Sequence, residues 1–199
     1  MVPVLRLAGT GATGLTFSLA MAYFLSPARA AGCAAVVLLL GGCCANNVCD
    51  CDDTQADAIE LRFSTAATIG FRTEDLDTLT LLRFPRPYNP ASRFETVTLF
   101  RTPAQAGDSV LLNNNTPFAQ AGSTKLNAYR YVVQYLRHVP GSKPVPTTAA
   151  VIDSVQLAGA LEGDGCCTCY QNTKKAIYLN GSATAANLHP RVPLVLTKR

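Results

Sequence analysis

The chain has 199 residues, enough for one domain or one domain with a tail. Hydrophobic residues make up 48% and charged residues only 15%, so a core can be buried, and the charge deficit points to apolar segments that inflate the average. Arg6 and Arg29 are the only charges before Asp50; of 17 basic and 13 acidic residues, 15 and 13 therefore follow Cys43, a net of +2. With no basic run and no aromatic–basic stripe, the electrostatic footprint of a nucleic-acid-binding protein is excluded.

Two apolar stretches precede Cys43. The first, 14–25, runs into Ser26-Pro27-Ala28-Arg29-Ala30, which has the small-x-small form of a signal-peptidase site. The second, 30–40, ends in Leu38-Leu39-Leu40-Gly41-Gly42-Cys43. Each is shorter than the roughly 20 residues a spanning helix needs, and Pro27 with Arg29 separates them. Leu40-Gly41-Gly42-Cys43 resembles a bacterial lipobox, a resemblance that implies a diacylated Cys43 at the mature N-terminus. Translation from Met21 gives a compact signal, with Arg29 near its start and an apolar run of the usual length. The expected division is a leader over 1–42, a lipidated cysteine-rich acidic tether over 43–54 and a folded body over 55–199.

Asp50, Asp52 and Asp53 follow the lipobox closely. Acidic residues there resemble the surface-export signal of Bacteroidota lipoproteins, although they lie later than in that pattern; a solvated tether is the plainer reading. The lipobox implies an outer-membrane lipoprotein of the cell envelope, periplasmic or surface-exposed. Its first partner is the membrane, held through the lipid, with an envelope protein or extracellular ligand as a further partner.

The body reads as strands. Ile59, Leu61 and Phe63 alternate with Glu60 and Arg62, the period of a half-buried strand. Further strands are expected at 76–84, 95–101, 109–112, 129–137, 151–157, 174–179 and 192–196. Pro85, Pro87 and Pro90 close the second, 140–146 reads as a proline-rich loop, and Asn180-Gly181 is a hairpin turn. Pro193 pushes the last strand to an edge. No stretch sustains a period of 3.6. Seven or eight short strands predict an all-β, antiparallel β-sandwich, immunoglobulin-like or transthyretin-like.

Eight cysteines are many for this length. Cys33 lies in the leader and Cys43 at the lipobox, leaving Cys44, Cys49, Cys51, Cys166, Cys167 and Cys169. An even set in an exported chain reads as a disulfide framework. Adjacent and C-x-C pairs close small strained rings, so bridges between the clusters are favoured. Joining Cys49 or Cys51 to the 166–169 group closes a loop worth about 4–5 kcal/mol. The alternative is a zinc or copper(I) site on Cys49, Cys51, Cys166 and Cys169, against which stand the ligand spacing and the oxidising compartment.

Other chemistry is thin. Gly107-Asp108-Ser109-Val110 resembles the start of one esterase family, which also needs an Asp three residues before a C-terminal His. Neither His138 nor His189 has one, so a turn entering a strand explains the tetrapeptide better. The acids Glu74, Asp75 and Asp77 lack the spacing of a calcium loop, and Tyr129, Tyr131 and Tyr135 read as core before ligand platform. The lipobox, the acidic tether, Leu76-Asp77-Thr78-Leu79 and Cys166-Cys167-Thr168-Cys169-Tyr170 together resemble small exported lipoproteins of Bacteroidota, which transfers no catalytic residue. The expectation is a non-catalytic binding or structural accessory protein without cofactor. An envelope metal-binding protein is the second reading and a small esterase using Ser109 the third.

Overall fold

A computed structural model describes residues 49–198. Cys33, Cys43, Cys44 and the whole leader lie outside the described residues. Among the described residues, nine strands form two sheets: β1 (Ile59–Phe63), β2 (Thr78–Pro85), β3 (Glu95–Phe100), β4 (Val110–Leu112), β5 (Tyr129–Arg137), β6 (Val145–Asp164), β7 (Cys167–Leu179), β8 (Ala186–Asn187) and β9 (Leu194–Leu196). A single-turn helix, α1 (Asp53–Ala56), precedes β1. The larger sheet has the order β3-β2-β5-β6-β7-β8 and is antiparallel; the smaller has the order β4-β1-β9, with β1 and β9 parallel. The expected all-β sandwich is the fold.

Alternation determines which sides meet. Ile59, Leu61 and Phe63 of β1 point inward with Val110, Leu112, Leu194 and Leu196. They pack on Leu79, Leu81, Tyr131, Val133, Tyr135, Ile152 and Ile177 of the larger sheet. The tyrosines are therefore core: Tyr131 is 1% exposed, and its hydroxyl donates to the Leu126 carbonyl at 3.0 Å. Asn180 and Gly181 take φ of 55° and 75°, the left-handed pair that an Asn-Gly turn supplies cheaply.

Two boundaries differ from the sequence expectation. The segment read as a proline loop ends early, because β6 starts at Val145 and Pro146 pairs with Leu136. There β6 is bonded to β5 alone, and such an edge tolerates a residue without an N–H. At the other end β6 and β7 extend far beyond 157 and 174, pairing down to Asp164↔Cys167. This two-stranded arm is rich in glycine and small residues, which masked it as loop. Register shifts between Val133 and Gln134, Ile152 and Ser154, and Ala158 and Gly159 mark the bulges that let such long strands bend.

Arg83 is an unexpected inward residue. It alternates with Leu79 and Leu81 and is 4% exposed. Its guanidinium lies 4.7 Å from the Phe118 ring centre and 4.4 Å from that of Tyr129, and it pairs with Glu95 at 2.6 Å. A planar cation between two ring faces keeps favourable contacts that a lysine would lose.

Candidate functional site

The arm is where the cysteines meet. Residues two apart on a strand share a side, so Cys167 and Cys169 of β7 offer both sulfurs to one neighbour. The neighbour is the segment before α1. Cys49 bridges to Cys167 and Cys51 to Cys169, with Cα–Cα distances of 5.5 and 5.3 Å. Both bridges span 118 residues, so the two C-x-C motifs run side by side in one register. Cys166, at the turn of the arm, is disulfide-bonded as well. Bridging between the two clusters is legible in the sequence but this pairing is not, although the equal C-x-C spacing carries the signal for it.

Beyond the bridges, residues 52–58 form a strap along β7. Asp53 accepts the Tyr170 N–H at 2.8 Å, satisfying a donor where β8 does not reach. Buried Asp57 accepts the Tyr170 hydroxyl at 3.1 Å and the Asn172 amide at 2.8 Å on one carboxylate oxygen. The Tyr170 ring reaches it by lying across Gly159, where a Cβ would collide with it. Burial, then the Asp57 charge and hydrogen bond, push the Tyr170 hydroxyl upward, away from ionisation. Lys175 is only 2% exposed and donates to the Ala58 carbonyl at 2.6 Å. Burial lowers its ammonium below the ordinary lysine range, and the Asp57 charge restores part of the loss.

The strap, the arm and residues 189–191 line an open hollow of about 360 Å³, with Asp52, Tyr170, Asn172, His189 and Arg191 in its wall. That is within the size range of small-molecule sites. Arg191 pairs with Asp52 in the open. His189 Nε2 lies 2.9 Å from the Asn172 carbonyl, which can only accept, so Nε2 carries the proton. Its proton is spent on main chain, and the neighbouring tyrosine is pushed away from ionisation. This chemistry suits holding a polar group, since an activated nucleophile needs a base on its hydroxyl and a lowered pKa. A smaller hollow of about 20 Å³ beside Lys175 and Glu60 has room for one water.

The other sequence candidates lie elsewhere. Ser109 is exposed before β4, while His138 is placed by Asp75 and Asp77 and His189 by Asn172 and Asn187, so neither histidine serves Ser109. Asp75 is buried in a knot with Arg72 and Lys198, Glu74 pairs with Arg72, and these acids are engaged by cations. Sulfurs of Cys51 and Cys169 and a carboxylate oxygen of Asp53 lie within 4.8 Å of one another, but the sulfurs are joined in a disulfide. Comparison with known proteins finds no matching family model, curated protein or solved structure.

Proposed function

We propose that the chain is a lipid-anchored protein of the cell envelope with a non-catalytic binding or structural accessory role. The observation that carries this reading is the pair of bridges, Cys49–Cys167 and Cys51–Cys169. Persistent disulfides belong to oxidising compartments, which agrees with an exported chain and with the lipobox ending at Cys43. Cys49, only six residues after Cys43, is stapled to the sandwich, so the link between anchor and fold is short. The hollow between strap and arm, whose Tyr170, His189 and Arg191 side chains are engaged by Asp57, Asn172 and Asp52, supports a holding role.

The metal reading needs thiolates, and its four candidates, Cys49, Cys51, Cys166 and Cys169, are all disulfide-bonded. It returns only if the mature protein carries these cysteines reduced with zinc or copper bound.

The anchor is tested by growing cells on radioactive palmitate and isolating wild-type protein and Cys43→Ala. Label in the wild type and none in the variant is the expected outcome; equal labelling of both refutes Cys43 as the acylation site.

A further inference from the structure

The arm formed by β6 and β7 projects past the rest of the sheet, and its turn at Gly165 is the far end of the longest hairpin in the fold. Its exposed side chains include Leu161, 69% accessible, and Thr168 between the two bridged cysteines. At the opposite end of the sheet Phe100 is 82% exposed. Phe100 pairs with Thr78, beside Leu79, which pairs with Tyr135; Leu136 pairs with Pro146. Phe100 is thus level with the start of β6. Leu161 lies fifteen residues beyond Pro146 along β6, at most roughly 50 Å of strand at about 3.3 Å per residue, shortened by the bends at its bulges.

The length of chain before the strap determines which end faces the bilayer. From Cys43 to Cys49 there are six residue steps, a reach of at most about 20 Å when fully extended. Cys49 is then bonded to Cys167, whose Cα lies 5.5 Å away. The stapled tip of the arm therefore cannot stand far from an acylated Cys43, and the end carrying Phe100 lies at the opposite end of β6. We propose that the β6–β7 arm is the membrane-proximal end, held against the headgroups of the bilayer that takes the Cys43 acyl chains, while the Phe100 end is presented away from it. This rests on the lipid-anchor reading above. The covalent link keeps the arm within its reach of the bilayer, whereas the Phe100 end carries no such link; Asp50, Asp52 and Glu162 give the arm no attraction of its own for an anionic surface.

The chain has no tryptophan, so one introduced indole reports its own position. Lipidated Thr168→Trp and Phe100→Trp proteins are reconstituted into phosphatidylethanolamine–phosphatidylglycerol vesicles carrying dansyl headgroups, and energy transfer to dansyl is measured on protein that floats with the vesicles. Leu161→Trp provides a second reporter on the arm should Thr168→Trp misfold. Transfer several-fold greater from the arm than from position 100 is expected. Equal transfer from both ends, or greater transfer from position 100, in protein that floats overturns the orientation. If the wild type does not float, or Cys43→Ala floats equally well, the anchor reading fails and this inference fails with it.

Discussion

Replacing Cys51 and Cys169 together by serine lowers stability by only about 2 kcal/mol, whereas reducing every disulfide lowers it by about 5 kcal/mol or more. Either bridge alone closes a span of 118 residues. The loop-entropy estimate for such a closure is about 5 kcal/mol, one of the larger single contributions available to a domain of this size. Once Cys49–Cys167 is closed, however, Cys51–Cys169 completes a ring of only a few residues, and the same estimate falls to about 2 kcal/mol. The sulfurs are thus strongly non-additive, because the first staple removes most of the denatured-chain freedom that the second would remove. Urea unfolding of the wild type, of Cys49→Ser/Cys167→Ser, of Cys51→Ser/Cys169→Ser and of the fully reduced protein checks this. Losses of about 2 kcal/mol for each serine pair, summing to less than the loss on full reduction, are expected; losses that sum to the full loss would count against a shared loop.

Asp75→Asn lowers stability by about 2 kcal/mol near neutral pH and flattens the acid side of the stability profile. Asp75 is fully buried, yet Lys198 donates to it at 2.7 Å, the His138 N–H at 2.9 Å and Arg72 at 3.4 Å. Burial alone would raise its pKa. The hydrogen bonds from Lys198, His138 and Arg72 outweigh burial and bring the carboxyl to about 2, from an ordinary 3.8. A carboxyl depressed in the fold contributes stability that is complete above its unfolded pKa. That contribution is lost as the pH falls from about 4 towards 2, because the native state must then take up a proton it binds poorly. The knot ties the Thr73–Leu76 turn to the end of β5 and to the C-terminal segment, and Arg72 also reaches the His138 carbonyl. Denaturant midpoints between pH 2 and 7 for wild type and Asp75→Asn provide the check. Parallel acid limbs would show that this carboxyl is not the group responsible.

Alternation made much of the sandwich readable in advance. Ile59, Leu61 and Phe63, and Tyr129, Tyr131, Val133 and Tyr135, are apolar at every second position, and a one-residue slip would expose the set. Arg83 broke the pattern without breaking the strand, because the aromatic faces and the carboxylate that hold it come from β3, β5 and the loop after β4. Charges buried by distant partners leave no local trace, and the same holds for Asp57, Asp75 and Lys175. The arm escaped notice for a related reason. Its stability comes from the strap, through Cys49, Cys51, Asp53 and Asp57, and not from the β-branched and aromatic content by which strands are recognised. The hollow at Asp52, Tyr170 and His189 joins three segments that are far apart in sequence, so only the closed strap brings its lining together.

The most direct measurement is a non-reducing peptide map, by mass spectrometry, of the mature protein purified from membranes. A stapled, lipid-anchored strap predicts an acylated N-terminal Cys43 peptide, with Cys49 linked to Cys167 and Cys51 to Cys169. An unacylated N-terminus, or free thiols at 49, 51, 167 and 169, would contradict it.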